Sequence, residues 1–524
     1  MYLTVPSSIS VIDAYAVREL RIPVIRLMGN AGRALAVAIS ERVKTGRIVI
    51  FAGPGNNGGD GYAAAISLSE RGYKTEVFEV LSEHHQSAAT RYYAALYARA
   101  GGKSTPLSAI SEGELDAALS GAGAVVDAIF GTGSRLELAG EISLLLRRLS
   151  SLPSGVLRVA ADLPTGVDGD SGRVGEIAFT ADLTVSFTVG KRGMFAYPAR
   201  GHCGEILISD IGLDVDEIKR AFPSSDRLID RELAASLLPK RHQNTHKGSY
   251  GRLLVLAGSR AYRGAALLAS EGALRSGVGL ATLASHEAVT DLAVSRLPEL
   301  IVLPTQDLER LDREHTKTIY EAAEKSSCIL IGPGSGVSNS LCCLIWELMS
   351  RPGAPLVIDA DGLNSLAMHP SESRSRLGLS KRTVILTPHP LELARLMGIS
   401  VSEVQADRIG SALRFAAISH STVVLKGAGT VIASGDGRLS INSSGGPALA
   451  KAGSGDVFAG AVAAFLAQGI PDHDAASLAV YLHGAAGDRL AKERSEYGVL
   501  ASELPEMMAR EMRALELLRD GEDY

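Results

Sequence analysis

From Arg47 onward the chain repeats one pattern: a short apolar run, a loop rich in glycine and oxygen-bearing side chains, then a stretch long enough for a helix. In the first half the runs are RIVIFAG, YKTEVFEV, AVVDAIF, VLRVAADLP, LTVSF and EILISDIG. They lack strict alternation, so both faces of each strand must be buried, which predicts a parallel sheet covered by helices on either side. A polar stretch follows, and then a second series begins: RLLVLAG, GLATLA, SCILIGPG, PLVIDADG, TVILTPHP and TVVLKG. A chain of 524 residues exceeds one ordinary core. The expectation is therefore two α/β domains, residues 1–222 and 223–524, with a charged amphipathic helix from Ser502 closing the second.

Composition narrows the class of partner. A net charge of −5 gives no reason to expect nucleic acid or an acidic membrane surface. No apolar run reaches membrane-spanning length, and the N-terminus carries charge early without a signal-like apolar core. The four cysteines show no CxxC spacing, which suits reduced, mostly buried thiols. A cytoplasmic protein acting on small molecules is expected. The histidines at 84–85 and the His242/His246 pair lack metal-ligand company and read as solvated.

Ligands of a parallel sheet sit beyond the carboxyl ends of its strands. Three such loops stand out in the first half: Gly53–Gly61 (GPGNNGGDG), Asp127–Gly133 (DAIFGTG) and Asp162–Asp168 (DLPTGVD). The first matches GxGxxG at Gly53, Gly55 and Gly58, with Glu79 about where a ribose-binding acid belongs, so a dinucleotide-dependent dehydrogenase is a rival. Against it, Asp60 puts negative charge at the helix start, where a pyrophosphate needs free N–H groups. A tight strand-to-helix turn would also explain the glycines. Asn57, Asp127 and Thr165 are hard oxygen donors just past strands, and one carboxylate among them suits a monovalent cation. Asp162 adds a carboxylate able to exchange a proton, or one that merely caps a turn.

These loops, followed by ADLTVSFTVGKRGMFAYPARGHCGEILISDIG, resemble the NAD(P)H-hydrate epimerase domain over about residues 9 to 214. The resemblance implies a Rossmann-like sandwich in which Asn56, Asn57, Gly58, Gly59, Asp60, Gly131, Thr132, Gly133, Ser134, Arg135, Leu136, Glu137 and Asp162 contact the hydrated cofactor. It also implies K⁺ on Asn57, Asp127 and Thr165, with Asp162 catalytic. Two positions depart from the family: Gly29 replaces a usual glutamate, and Thr165 an often-found serine.

In the second half, GGPALAKAGSGD (Gly445–Asp456) precedes the helix-forming VFAGAVAAFLAQG. Free N–H groups of Gly453, Ser454 and Gly455 would form an anion hole there. Asp456 can take a proton from an attacking hydroxyl, or serve as an N-cap. No GxxxxGK[ST] occurs. Together with Lys426–Thr430 (KGAGT), TPHPLE, Gly332–Gly334 and DADGLN, the set resembles the ribokinase-like fold. HKGSYGRLLVLAGS and YRGAALLASEGALRSGVGLATLA narrow it to the NAD(P)H-hydrate dehydratase family, over about residues 228 to 493. The resemblance implies that Lys426, Gly427, Ala428, Gly429, Thr430 and Gly455 hold ADP, accompanied by Mg²⁺. Ala265 (or neighbouring Gly264), Gly334, His389 and Asp456 would face the hydrated nicotinamide, with Asp456 catalytic. It further implies a homo-oligomer. Two other readings remain: a small-metabolite kinase, whose phosphorylated product would persist, and a first half reduced to a non-catalytic binding module.

Overall fold

The computed structural model describes residues 1–521 except Glu83, Ser134 and Ala139. It divides into two compact units, Tyr2–Asp226 and Met1 with Arg227–Tyr524.

The first unit is built on seven strands: β1 (Arg47–Ala52), β2 (Lys74–Glu79), β3 (Ser104–Pro106), β4 (Ala122–Ala128), β5 (Leu157–Ala161), β6 (Leu183–Phe187) and β7 (Glu205–Ser209). Their order is β3-β2-β1-β4-β5-β6-β7, and every neighbouring pair is parallel. Alternate residues of one strand feed different cores. Ile48 and Ile50 pack with Leu35, Ile39 and Leu68 on one face, while Val49 and Phe51 pack with Leu115, Leu145 and Leu149 on the other. This is why the runs show no polar alternation: neither face meets water. Helices α1 (Pro6–Arg18), α2 (Val24–Arg42) and α3 (Asn56–Glu70) help cover the first face. A separate two-residue parallel pairing joins Leu3–Thr4 to Gly190–Lys191.

The GPGNNGGDG loop turns tightly into α3 because its backbone segments touch. A Cβ at Gly53 would lie 2.1 Å from the Ile129 carbonyl oxygen, and one at Gly58 only 1.8 Å from that of Gly53. Only glycine fits either place.

The second unit carries β8 (Arg227–Ile229), β9 (Arg252–Leu256), β10 (Leu280–His286), β11 (Ile301–Thr305), β12 (Cys328–Ile331), β13 (Leu356–Ile358), β14 (Val384–Leu386), β15 (Thr422–Leu425), β16 (Val431–Ala433) and β17 (Leu439–Asn442). They form one sheet in the order β8-β17-β16-β15-β14-β13-β12-β9-β10-β11. The sheet departs from parallel pairing at β15/β16 and β16/β17, which are antiparallel. The cause is local: Lys426–Thr430 is too short for a crossover and makes a hairpin loop instead. The stretch expected to be a polar connection holds a helix (Val215–Ala221), β8 and a second helix (Arg231–Leu237). Beside the sheet lie α4 (Arg263–Arg275), α5 (Pro390–Met397), α6 (Ser454–Ala467), α7 (Asp472–Glu493) and α8 (Leu504–Asp520). Every residue of α6 from Val457 to Ala467 is buried, so its uniformly apolar sequence marks a central helix. The tail helix α8 is amphipathic as expected, burying Leu504, Met507, Met508 and Leu515.

Cys203, Cys328 and Cys342 are buried free thiols, and Cys343 is exposed. Among the described residues no helix is long and apolar enough to cross a membrane.

Candidate functional site

In the first sheet the strand order reverses between β1 and β4, which opens a crevice beyond their carboxyl ends. A cavity of about 580 Å³ occupies the unit, and its wall includes Asn56, Asn57 and Asp60 from the start of α3. Gly131, Thr132 and Gly133 follow β4 onto the same wall, and Asp162 follows β5. Seven of the expected residues are thus brought together. Gly58 and Gly59 are instead buried in packing: a Cβ on Gly59 would strike the Met28 sulfur. Arg135 and Glu137 are exposed and, like Leu136, are not on the wall; Ser134 lies outside the described residues. His84 and His85 are exposed, as expected, yet border the cavity.

Asp162 sits at φ +66°, a left-handed turn that aspartate tolerates better than most residues. Its Oδ1 accepts from the Lys191 ammonium, which is only 1% exposed, and from Ser186 Oγ at 3.3 Å. Lys191 also donates to Ser186 Oγ (2.8 Å) and the Phe187 carbonyl (3.2 Å), so the ammonium is held from several sides. Asp13 of α1 lines the same cavity. Burial, then the charge of Asp162, pushes its carboxyl up to about 6. The same two causes raise Asp60 well above the carboxylate range. Lys191 and Asp13 were not singled out in the sequence. A lysine closing the apolar run LTVSFTVG was the one available signal.

Asn57, Asp127 and Thr165 come from the carboxyl ends of three adjacent strands, β1, β4 and β5. Asp127 is fully buried and accepts from the Thr165 backbone N–H (2.7 Å), the Thr165 hydroxyl (2.8 Å) and the Ile129 N–H (3.1 Å). Burial raises its carboxyl to about 6, those hydrogen bonds offsetting part of the effect. Among the described residues no protein cation pairs with it. Both side-chain polar atoms of Asn57 are buried without a partner. An orphaned amide and an uncompensated buried carboxyl fit a small cation of low charge. No cluster of three or more His, Cys, Asp or Glu able to hold a metal occurs among the described residues.

Gly29 has a structural counterpart. A Cβ there would lie 2.4 Å from the Tyr93 hydroxyl, which donates to the Ile25 carbonyl at 2.8 Å. The phenol fills space that a side chain at position 29 would need.

In the second unit three adjacent strands, β13, β14 and β15, are followed directly by Asp359, Thr387 and Lys426. Buried Asp359 accepts from Lys426 Nζ (2.6 Å) and Thr387 Oγ1 (2.7 Å). Glu392, in the first turn of α5, is 3% exposed and accepts the His389 N–H at 2.8 Å, while its own N–H donates to His389 Nδ1 at 3.2 Å. This reciprocal cap fixes the histidine expected to face substrate. Burial raises Glu392 to about 7, with Lys426 opposing. Burial and the Lys426 charge lower His389. Burial works against the charge of Lys426, but Asp359 and Glu392 outweigh it and raise the ammonium.

Lys426 also reaches the start of α6, since a Cβ on Gly455 would lie 3.6 Å from its Nζ. The N-cap of α6 is Gly453, not Asp456, which stands inside the first turn. Asp456 takes no hydrogen bond within the described protein, and burial, then the Asp359 charge, push it up to about 7. Of the three N–H groups expected to form an anion hole, that of Ser454 is already given to the Lys451 carbonyl (3.3 Å); those of Gly453 and Gly455 are not so engaged. Behind the turn, His483 of α7 bonds Ser454 Oγ at 3.0 Å, and burial keeps it neutral by lowering it to about 4. The hairpin loop Lys426–Thr430 is held by Arg408, which donates to the carbonyls of Leu425 and Lys426, and by Thr430 Oγ1 to the Gly427 carbonyl. Gly334, at φ +60°, abuts Ala265, where a Cβ would come within 2.7 Å of the alanine methyl; Gly264 faces open space.

Two family models match in this order: YjeF-related protein N-terminus over residues 24–193, and NAD(P)H-hydrate dehydratase over 253–510. The bifunctional NAD(P)H-hydrate repair enzyme Nnr of Moorella thermoacetica is 35% identical, covering 98% of this chain and 97% of that one. Its counterpart from Thermofilum pendens is also 35% identical, over 97% and 96%. Among solved structures, the ADP/ATP-dependent NAD(P)H-hydrate dehydratase of Bacillus subtilis, co-crystallised with ATP/Mg²⁺, is 34% identical at a TM-score of 0.48, covering 55% of this chain and 99% of that one. Because the identity runs through nearly the whole of both chains and both halves are matched in sequence order, this protein belongs to the family of bifunctional NAD(P)H-hydrate repair enzymes.

Proposed function

We propose that the first unit interconverts the two C6 epimers of hydrated NADH or NADPH, and that the second dehydrates the S epimer at the expense of ADP, yielding NAD(P)H, AMP and phosphate. The expected domains 1–222 and 223–524 carry the two activities. The observation that carries this reading is Asp456: a half-buried carboxyl without protein hydrogen bonds among the described residues, at a helix start where Lys426 supplies positive charge.

Lys426 and the N–H groups of Gly453 and Gly455 receive the phosphates of ADP, with Gly427–Thr430 along the nucleotide. Asp456 accepts the proton of the C6 hydroxyl as that oxygen attacks the terminal phosphorus, and AMP leaves. A base titrating near 7 suits the task at neutral pH. The N1 lone pair then expels phosphate from C6, and loss of the C5 proton restores the C5–C6 double bond. Ala265, Gly334 and His389 enclose the hydrated ring. Mg²⁺ on the diphosphate would neutralise its charge.

In the first unit Asp162 exchanges a proton with the hydrate, oriented by Lys191. Asn57, Asp127 and Thr165 would hold K⁺, whose fixed positive charge compensates Asp127. The cytoplasmic, homo-oligomeric state goes with this reading and is supported by family membership.

Mixing the protein with hydrated NADH and ADP tests the proposal. Reduced-nicotinamide absorbance returns with equimolar AMP and free phosphate; a stable phosphorylated hydrate would instead establish the kinase reading.

A further inference from the structure

We propose that Asp13 is a second proton-exchanging catalytic residue of the epimerising cavity, working with Asp162 on the hydrated ring. The inference rests on the epimerase reading of that cavity and adds a residue that neither the motifs nor the loops around the strand ends supply.

Three observations converge. Asp13 belongs to α1, whereas Asp162 follows β5, yet both line the same cavity of about 580 Å³. Asp162 is ion-paired with buried Lys191, while Asp13 makes no hydrogen bond or ion pair within the described protein. Asn57, 8% exposed and with both side-chain polar atoms unpartnered, faces the same space, so the cavity is built to receive polar groups from elsewhere. The remaining titratable groups on its wall are Asp60, His84, His85 and Lys191.

C6 carries both the hydroxyl and N1, and the proposed route inverts it by breaking and remaking the C–O bond; exchange of the epimers without ¹⁸O uptake would mean ring opening at C6–N1 instead and overturns the proposal. The leaving hydroxyl needs a proton, and the incoming water must lose one on the opposite face. With Asp13 protonated, its proton goes to the C6 oxygen as the N1 lone pair forms a ring iminium and water departs. Water then adds to the other face, its electron pair making the new C6–O bond while the iminium electrons return to N1. Asp162 takes the proton released. The reverse reaction exchanges the roles, and no oxidant or further reactant is needed. Two carboxyls serve this purpose when their surroundings hold them in different protonation states, and burial beside Asp162 favours the protonated form of Asp13.

The test uses the full chain with separated epimers in ¹⁸O-enriched water. Wild type incorporates ¹⁸O at C6 as the epimers exchange. Asp13→Asn lowers kcat for exchange by about 10²-fold or more with KM little changed, since positioned acid–base groups contribute on that scale. It also removes the alkaline limb of the kcat/KM profile that begins near pH 6 in wild type, and Asp13→Glu restores part of the rate. ADP-dependent dehydration of the S epimer and a melting transition of the first unit no lower than that of wild type show that the variant is folded. An active wild type with an equally active Asp13→Asn overturns the role of Asp13 alone, as does a rise confined to KM. A wild type that does not exchange the epimers overturns the reading of the cavity, and Asp13 with it.

Discussion

Replacing Asp456 by asparagine removes a base and a half-buried charge in one step, and the two consequences have opposite signs. Loss of the base lowers ADP-driven dehydration by about 10²–10⁴-fold, equivalent to about 2.7–5.4 kcal/mol of barrier. Stability moves the other way. Asp456 holds its proton up to about 7 in the fold, against an ordinary 3.8, because burial and the Asp359 charge disfavour the carboxylate. Between those values the folded chain binds more protons than the unfolded one, so stability falls as pH rises. At 1.36 kcal/mol per tenfold, the fall approaches about 4 kcal/mol above pH 7. Asparagine does not titrate, and Asp456 is not the N-cap of α6, so no cap is lost. The variant therefore melts higher than wild type at pH 8 and about equally at pH 4. The transition to follow is the one that ADP shifts, since a ligand stabilises only the unit that binds it. AMP release, NADH recovery and epimer ratio are measured on the same preparation. Near-normal AMP release coupled to NADH recovery refutes the base assignment. A lower melting temperature at pH 8 refutes the electrostatic argument.

Asp162→Asn slows epimer exchange by about 10²-fold or more, but it also strands the Lys191 ammonium, a buried charge without its partner, at about 3–5 kcal/mol; adding Lys191→Met recovers the first unit's melting temperature without recovering exchange. Epimer exchange is faster in K⁺ than in Na⁺-only buffer, and Asp127→Ala abolishes the difference; equal rates in both buffers remove the ion from Asn57, Asp127 and Thr165. Gly29→Ala destabilises wild type by about 1–3 kcal/mol because its methyl displaces the Tyr93 hydroxyl, whereas in a Tyr93→Phe background the same change is neutral or stabilising by up to about 1 kcal/mol through helix propensity; additive melting shifts would sink the argument.

The strands were legible because each apolar run was long enough to be buried on both faces, and the loops that line the cavity because glycine and oxygen ligands gather at strand ends. Short strands such as Ser104–Pro106 and Val431–Ala433 were not, since a few residues carry no period. The antiparallel end of the second sheet hid in KGAGT, which reads equally as a nucleotide loop and as a hairpin. Asp13 and Lys191 escaped for a different reason. Neither lies in a loop at a sheet-strand terminus; a helix and a short edge pairing bring them to Asp162, and local pattern holds no trace of that meeting. Asp456 was found, but its place inside the helix rather than at its cap needed the positive φ of Gly453 to show.

The pairing of Leu3–Thr4 with Gly190–Lys191 sets an order of assembly. During synthesis β1, β4 and α3 can pack while the chain is still growing, but Leu3–Thr4 has no partner until Gly190 and Lys191 have left the ribosome. Helix α1 follows that strand directly, so the wall bearing Asp13 cannot settle before the ammonium that Asp162 needs has arrived. Such far-separated contacts form slowly because a long loop must close before they are rewarded. A nascent chain stopped short of residue 190 therefore has the Gly53–Gly61 turn and Asp162, but no closed chamber in which a hydrate could be inverted.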